Sequence, residues 1–107
     1  MPFDSSAVDA IDVINVETGK EGKSLRISKK EEIEVILAQL EAMKVDPAAD
    51  MQQWLLRLWS GGRRHRDVHV SSGGQWGCDG VLYGEADALP RILAKMHGKE
   101  HSVNDAD

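Results

Sequence analysis

What the chain lacks bounds its function before any motif does. One cysteine, Cys78, in 107 residues cannot form an internal disulfide, so the fold must rest on its core. No apolar run approaches the ~18 residues needed to cross a bilayer, which leaves no sequence support for a membrane role. The opening "MPFDSSAVDA" has neither the basic region nor the apolar region of a secretory signal, and a cytoplasmic setting is the expectation. There are no internal repeats and no linker. The length is that of a single domain able to bury a core without staples.

Charge is abundant but unevenly placed. The net formal charge is −5. Residues 1–56 carry a net −5, residues 57–78 a net +3 and residues 79–107 a net −3. A net-acidic chain repels nucleic acid at long range, so duplex binding would depend on the arginine island alone. An acidic globule suits a basic protein partner better.

Periodicity supplies the elements. Val8–Thr18, "VDAIDVINVET", is rich in Val and Ile and ends at Gly19; "SLRIS" follows the polar "GKEGK", and the pair reads as two strands joined by a turn. Ser28 with Glu31 three residues later is a capping-box pattern that predicts a helix start. Ile33, Ile36, Leu37 and Leu40 then repeat at helical spacing, with Lys29, Lys30, Glu31, Glu32, Glu34 and Glu41 on the wet side. Asp46 and Pro47 look like an N-cap and a first-turn proline, and Met51, Trp54, Leu55, Leu58 and Trp59 continue a helical stripe up to Gly61 and Gly62. The same "WLLRLW" would also serve as a strand buried on both faces; the spacing favours a helix whose apolar arc is wider than one core contact requires. "RDVHVSS", Arg66 to Ser72, alternates as a half-buried strand, Gly73 and Gly74 turn the chain, and "QWGCDGVLYG" follows as a hairpin or meander. Leu89, Ile92, Leu93 and Met96 form a last helix, with Asp87 as its cap and Gly98 as its terminator. The expected domain is residues 1–98, with 99–107 a flexible tail.

The chemistry-bearing motifs are weak when weighed individually. Gly22, Lys23 and Ser24 nearly complete a phosphate loop, but Glu17 stands where its first glycine should be, and a solvated hairpin turn accounts for the stretch. His65 and His69 are four apart, which gathers two imidazoles on a helix; on a strand the same spacing separates them by ~13 Å, too far for one ion. His97 and His101 share the spacing, with Gly98 expected to end the helix between them. His69 and Cys78 could meet across a hairpin with a remote third ligand, against the plainer reading of surface histidines. Cys78 could be a thiolate nucleophile beside a histidine, but its context matches no known signature and a lone cysteine is usually a small buried hydrophobe. No metal and no cofactor are therefore expected.

The arginines and tryptophans remain. Arg57, Arg63, Arg64 and Arg66 lie near Trp59 and Trp76, and these residue types dominate interface hot spots. Together with the acidic helix face at Glu31 and Glu34 they are the candidate protein-binding residues. The plainer reading is an arginine-rich turn with both tryptophans in the core.

These elements give an α+β domain, a small antiparallel sheet covered by two or three helices in the order β-β-α-α-β-β-α. In "SLRISKKEEIEVILAQLEA", "DVHVSS" and "GVLYGEAD" followed by a late helix, the chain resembles the immunity proteins of bacterial polymorphic toxins. That resemblance implies a cytoplasmic, non-enzymatic antidote that occludes a toxin, often a nuclease or deaminase. A phage-encoded inhibitor of a bacterial defence enzyme would look much the same. From another class, a nucleic-acid- or phosphate-binding module would use the Arg63–Arg66 loop with Trp76 for stacking. An enzyme built on Cys78 is the third reading, and it requires a thiol of lowered pKa.

Overall fold

The computed structural model describes residues 3–17, 20–40, 43–44, 52–84 and 86–102. Period-two patterning governs most of them. In β1 (Ala10–Glu17), Ile11 and Val13 are fully buried on one side while Asp12 and Ile14 take the other. β2 (Lys20–Ile27) pairs antiparallel with it, setting Ile27 against Ile11 and Arg26 against Asp12. The expected "GKEGK" loop is thus shorter than the sequence suggests: Lys20 to Lys23 belong to the strand, and the connecting positions 18 and 19 lie outside the described residues. Gly22 to Ser24 lie within β2 as well, Ser24 opposite Ile14, which is not the geometry of a phosphate loop.

Helix α1 (Lys30–Ala38) forms where its stripe predicts, burying Ile33 and Ile36, with Leu40 buried just beyond. Its start differs from the capping-box expectation. Lys29 occupies the N-cap position without a side-chain cap bond, and Glu31 and Glu32 in the first turn meet the positive end of the helix dipole instead. Two-residue β3 (Met43–Lys44) follows. Asp46 and Pro47 lie outside the described residues, as does Met51.

The largest correction concerns the tryptophan segment. Residues 52–60 are not helical but form strand β4 (Gln52–Ser60), which pairs with β1 on one side and with β5 (Arg63–Ser71) on the other. A central strand is screened on both faces, so Trp54, Leu56 and Leu58 fill one side while Leu55 fills the other. Because both faces take apolar residues, Trp54 and Leu58 on one side interleave with Leu55 and Trp59 on the other, and the result imitates the i, i+1, i+4, i+5 stripe of a helix. Gly61 and Gly62, at φ +59 and +79, close the β4–β5 hairpin with the left-handed pair that a two-residue turn requires.

β6 (Trp76–Cys78) and β7 (Val81–Gly84) continue the meander, and the sheet order is β2-β1-β4-β5-β6-β7-β3 with every neighbour antiparallel. Before β6, Gly74 sits at φ +92 with space for a Cβ only 2.8 Å from the Ala86 carbonyl oxygen, and its own carbonyl accepts the Ala86 amide. That contact fastens the meander to α2 (Leu89–Ser102). α2 runs through Gly98 instead of ending there, since a single glycine inside a helix costs only ~1 kcal/mol. The helix begins at Leu89, past Asp87, and Ile92 N donates to Ala88 O. The part of the expected tail from 103 to 107 lies outside the described residues.

The α+β class and the antiparallel sheet therefore hold, with two α-helices and a single 3-10 turn at Ser5–Ala7 among the described residues, and a strand in place of the second expected helix. Both helices serve one core. Ile33, Ile36, Leu89 and Leu93 pack with Ile11, Val13, Leu56, Leu58, Val68, Val70 and Trp76 on a single side of the sheet. Burying each such side chain contributes about 1.5–3 kcal/mol. No helix of the described residues is long and apolar enough to cross a membrane.

Candidate functional site

The side of the sheet away from the helices carries the charged residues of the central strands. Alternation sends Asp12, Arg26, Arg57 and Asp67 outward, because their neighbours Ile11, Val13, Ile27, Leu56, Leu58 and Val68 go inward. Strand register then lines them up as Arg26, Asp12, Arg57, Asp67 across β2, β1, β4 and β5. Charge alternates along the row, which is the stabilising arrangement for directly opposed residues.

The pair at its β2 end is the tightest. Arg26 Nε donates to Asp12 Oδ1 at 2.7 Å and Arg26 Nη2 to Asp12 Oδ2 at 3.0 Å, a two-pronged contact. Trp59 Nε1 donates to the same Oδ2 at 2.9 Å, and the Arg26 guanidinium lies 5.1 Å from the Trp59 ring centroid, within cation–π range. Hydrogen bonds from Arg26 hold the Asp12 carboxyl below its ordinary value, with the Trp59 indole adding to the effect against partial burial. Arg57 Nε stands 3.6 Å from Asp67 Oδ1 in the neighbouring pair. Beside this row Ile14, Val16 and Leu55 form a small second apolar cluster, and Gln52 Nε2 contacts His69 Nδ1 at 2.6 Å.

The structure separates the residues that composition had grouped. Arg57 and Trp59 join the outward row. Arg63 and Arg64 are exposed where the β4–β5 turn enters β5, and Arg66 Nε lies 3.4 Å from Asp79 Oδ2. Trp76 does not belong with them: it is fully buried and stacks on Tyr83 at 4.5 Å between ring centroids, so its indole cannot touch a partner or a base. Glu31 and Glu34 are exposed on α1, on the helix side of the sheet, and cannot share one contact surface with Trp59. Asp12 and Arg26, which complete the row, were missed by residue type alone. The signal was present in "AIDVINVE" and "SLRIS", where a single charge interrupts each alternating apolar series and a hairpin must bring the two together.

The alternative chemistries find little geometry. Cys78 is buried at 1% exposure in the helix-side core, and burial, with the neighbouring Asp79 carboxylate, pushes its thiol up. That direction opposes a thiolate nucleophile. His69 pairs with Gly77 on the outward side, so its imidazole and the Cys78 sulfur take opposite faces of the sheet. His97 and His101 do share one helix, and His97 Nε2 contacts the Lys23 carbonyl at 2.9 Å while its ring meets Trp54 edge-on at 5.3 Å. Among the described residues no three His, Cys, Asp or Glu side chains gather as ion ligands. Comparison with protein-family models, curated proteins and solved structures returns no match.

Proposed function

We propose that the chain is a non-enzymatic binding protein that works by occluding another protein, as an inhibitor or antidote of a basic enzyme such as a toxin, in a cytoplasmic setting. The carrying observation is the outward row, in which Arg26, Asp12, Arg57 and Asp67 are already paired with one another and Trp59 is locked between Asp12 and Arg26. A surface whose opposite charges stand beside one another in strand register and whose indole is fixed offers area and directional contacts with little ordering cost, which suits a protein partner. The net charge of −5 draws such an acidic molecule toward a basic partner, an effect on association rate above all. An inhibitor carried by a phage against a bacterial defence enzyme is the same physical reading with another owner.

The nucleic-acid alternative rests on Arg63 and Arg64, which meet no carboxylate among the described residues. Two cations release about two counterions, a salt slope near −2, and that gives weak binding for a chain of this net charge. With Trp76 in the core, its stacking partner is lost as well.

A tagged copy isolated from its native host tests the proposal. The expected result is a stoichiometric enzyme whose activity falls on binding, with affinity weakened at least tenfold by Trp59→Ala and unchanged off-rate for Glu34→Lys on the far side. Copurifying nucleic acid with no protein overturns it.

A further inference from the structure

Among the described residues the sheet is interrupted inside its own width between β5 and β6. β5 pairs with β4 from Arg63 to Ser71, but β6 covers only His69 and Val70 on its other side before the chain turns at Asp79 and Gly80. Arg63 to Val68 therefore have no strand neighbour on that side among the described residues. The notch this leaves has a volume of about 580 Å³ and is walled by Arg64, Arg66, Asp67, His69 and the Asp79–Gly80 turn.

Backbone direction follows from the turn. Ser71 N donates to Gln75 O at 2.8 Å, on the β6 side, and antiparallel amides alternate, so those of His69 and Asp67 point the same way. Asp67 thus presents its N–H and C=O to the notch. The His65 carbonyl is taken by Arg66 Nη1 at 2.7 Å, a side-chain donor doing what a neighbouring strand would do.

We infer that Arg63–Val68 of β5 is a strand-addition site that receives an extended, acidic segment of the protein partner. This rests on the protein-binding reading above and names the element of the partner that docks. Charge selects the occupant. Arg66 has Asp79 nearby, whereas exposed Arg63 and Arg64 meet no carboxylate among the described residues. A glutamate or aspartate of an incoming strand would sit opposite Arg64, with Arg63 beside it at the turn, while the strand's backbone pairs with Asp67. A second copy of this chain gains less from charge, because antiparallel pairing of two such edges centred on His65 sets Arg64 against Arg66 twice and Arg63 against Asp67 twice, repulsion against attraction. Edge arginines also deter indiscriminate pairing, and an acidic strand is the one for which that barrier is reversed.

The test uses the full chain, labelled with nitrogen-15, and three capped six-residue peptides. One alternates glutamate and valine, one lysine and valine, and one is the glutamate peptide with N-methyl groups on its strand-facing amides. The expected result is saturable shifts centred on the amides of residues 63–68 with the glutamate peptide alone, and at least tenfold slower exchange of the Asp67 amide. Arg63→Glu together with Arg64→Glu should weaken that binding at least tenfold. Equal binding of the lysine peptide, retained binding after N-methylation, shifts centred on Asp12 and Arg26 in place of residues 63–68, or no shift at millimolar peptide would each overturn the inference. If the peptides fail while Trp59→Ala still releases the native partner, the edge is lost and the protein-binding proposal stands.

Discussion

The two sides of the sheet solve different problems with the same strands. The helix side is apolar from Ile11 and Val13 through Leu56 and Leu58 to Val68, Val70 and Trp76, and two helices close it. The outward side has a three-residue apolar cluster, Ile14, Val16 and Leu55, and beyond it a row of paired charges with one tryptophan. What the helix side gains is burial. What the outward side gains is fixed geometry, since paired charges near a surface contribute little net stability but hold their side chains in one arrangement.

Four experiments break or sharpen that contrast. The largest effect belongs to Cys78, whose thiol is shielded on the helix side; iodoacetamide should modify it at least about a hundredfold more slowly than a free cysteine near neutral pH, with full reactivity in denaturant. Fast alkylation of the folded chain would mean that the helix side is open and would revive a catalytic thiol. Next is Leu56→Ala, expected to cost about 2–5 kcal/mol in urea unfolding because a fully buried side chain leaves a cavity. Its neighbour Leu55→Ala, in the smaller cluster, should cost about half as much, and equal losses would show two cores of equal rank.

Asp12→Ala comes third, at about 1–2 kcal/mol, from loss of the Arg26 contact and of the Trp59 acceptor. Its sign with pH is fixed: the folded carboxyl is held below its unfolded value, so the stabilisation is complete above about pH 4 and fades as pH falls through the depressed value. The gap between Asp12→Ala and the parent should therefore close in acid, and a gap that widened there would refute the ion-pair account. The smallest stability effect is that of Arg63→Glu with Arg64→Glu, within about 0.5 kcal/mol by thermal melting, since both side chains are exposed.

Much of the helix side was legible. Ile33, Ile36, Leu89 and Leu93 announce their faces by spacing, and Val68 and Val70 announce theirs by alternation. β4 was illegible for a physical reason: a strand buried on both faces loses its alternation, and apolar residues from its two sides, Trp54 and Leu58 with Leu55 and Trp59, together mimic a helical rhythm. A better signal stood beside it. Arg57 and Asp67 lie at nearly equal distances from Gly61–Gly62, as cross-strand partners must, and opposite charges so placed argue for a hairpin. The outward row was half visible because residue type picked out Arg57 and Trp59, whereas Asp12 and Arg26 acquire meaning only once the strands are paired. Trp76 shows the converse. Its neighbourhood in sequence suggested contact with a partner, and its alternation with Cys78 delivers it to the interior.

The strand order also governs how the chain reaches this state. β1 and β2 form one local hairpin and β4 to β7 a local meander, yet β1 must find β4 across the whole of α1 and β3. Local pairings close in microseconds, whereas a seam between distant segments waits on the entropy of the intervening loop. Joining β1 to β4, a longer seam between distant segments than the two-residue β3–β7 pairing, is therefore the step expected to limit folding, and Ile14, Leu55, Asp12 and Arg57, which face one another across it, are where substitutions should slow refolding.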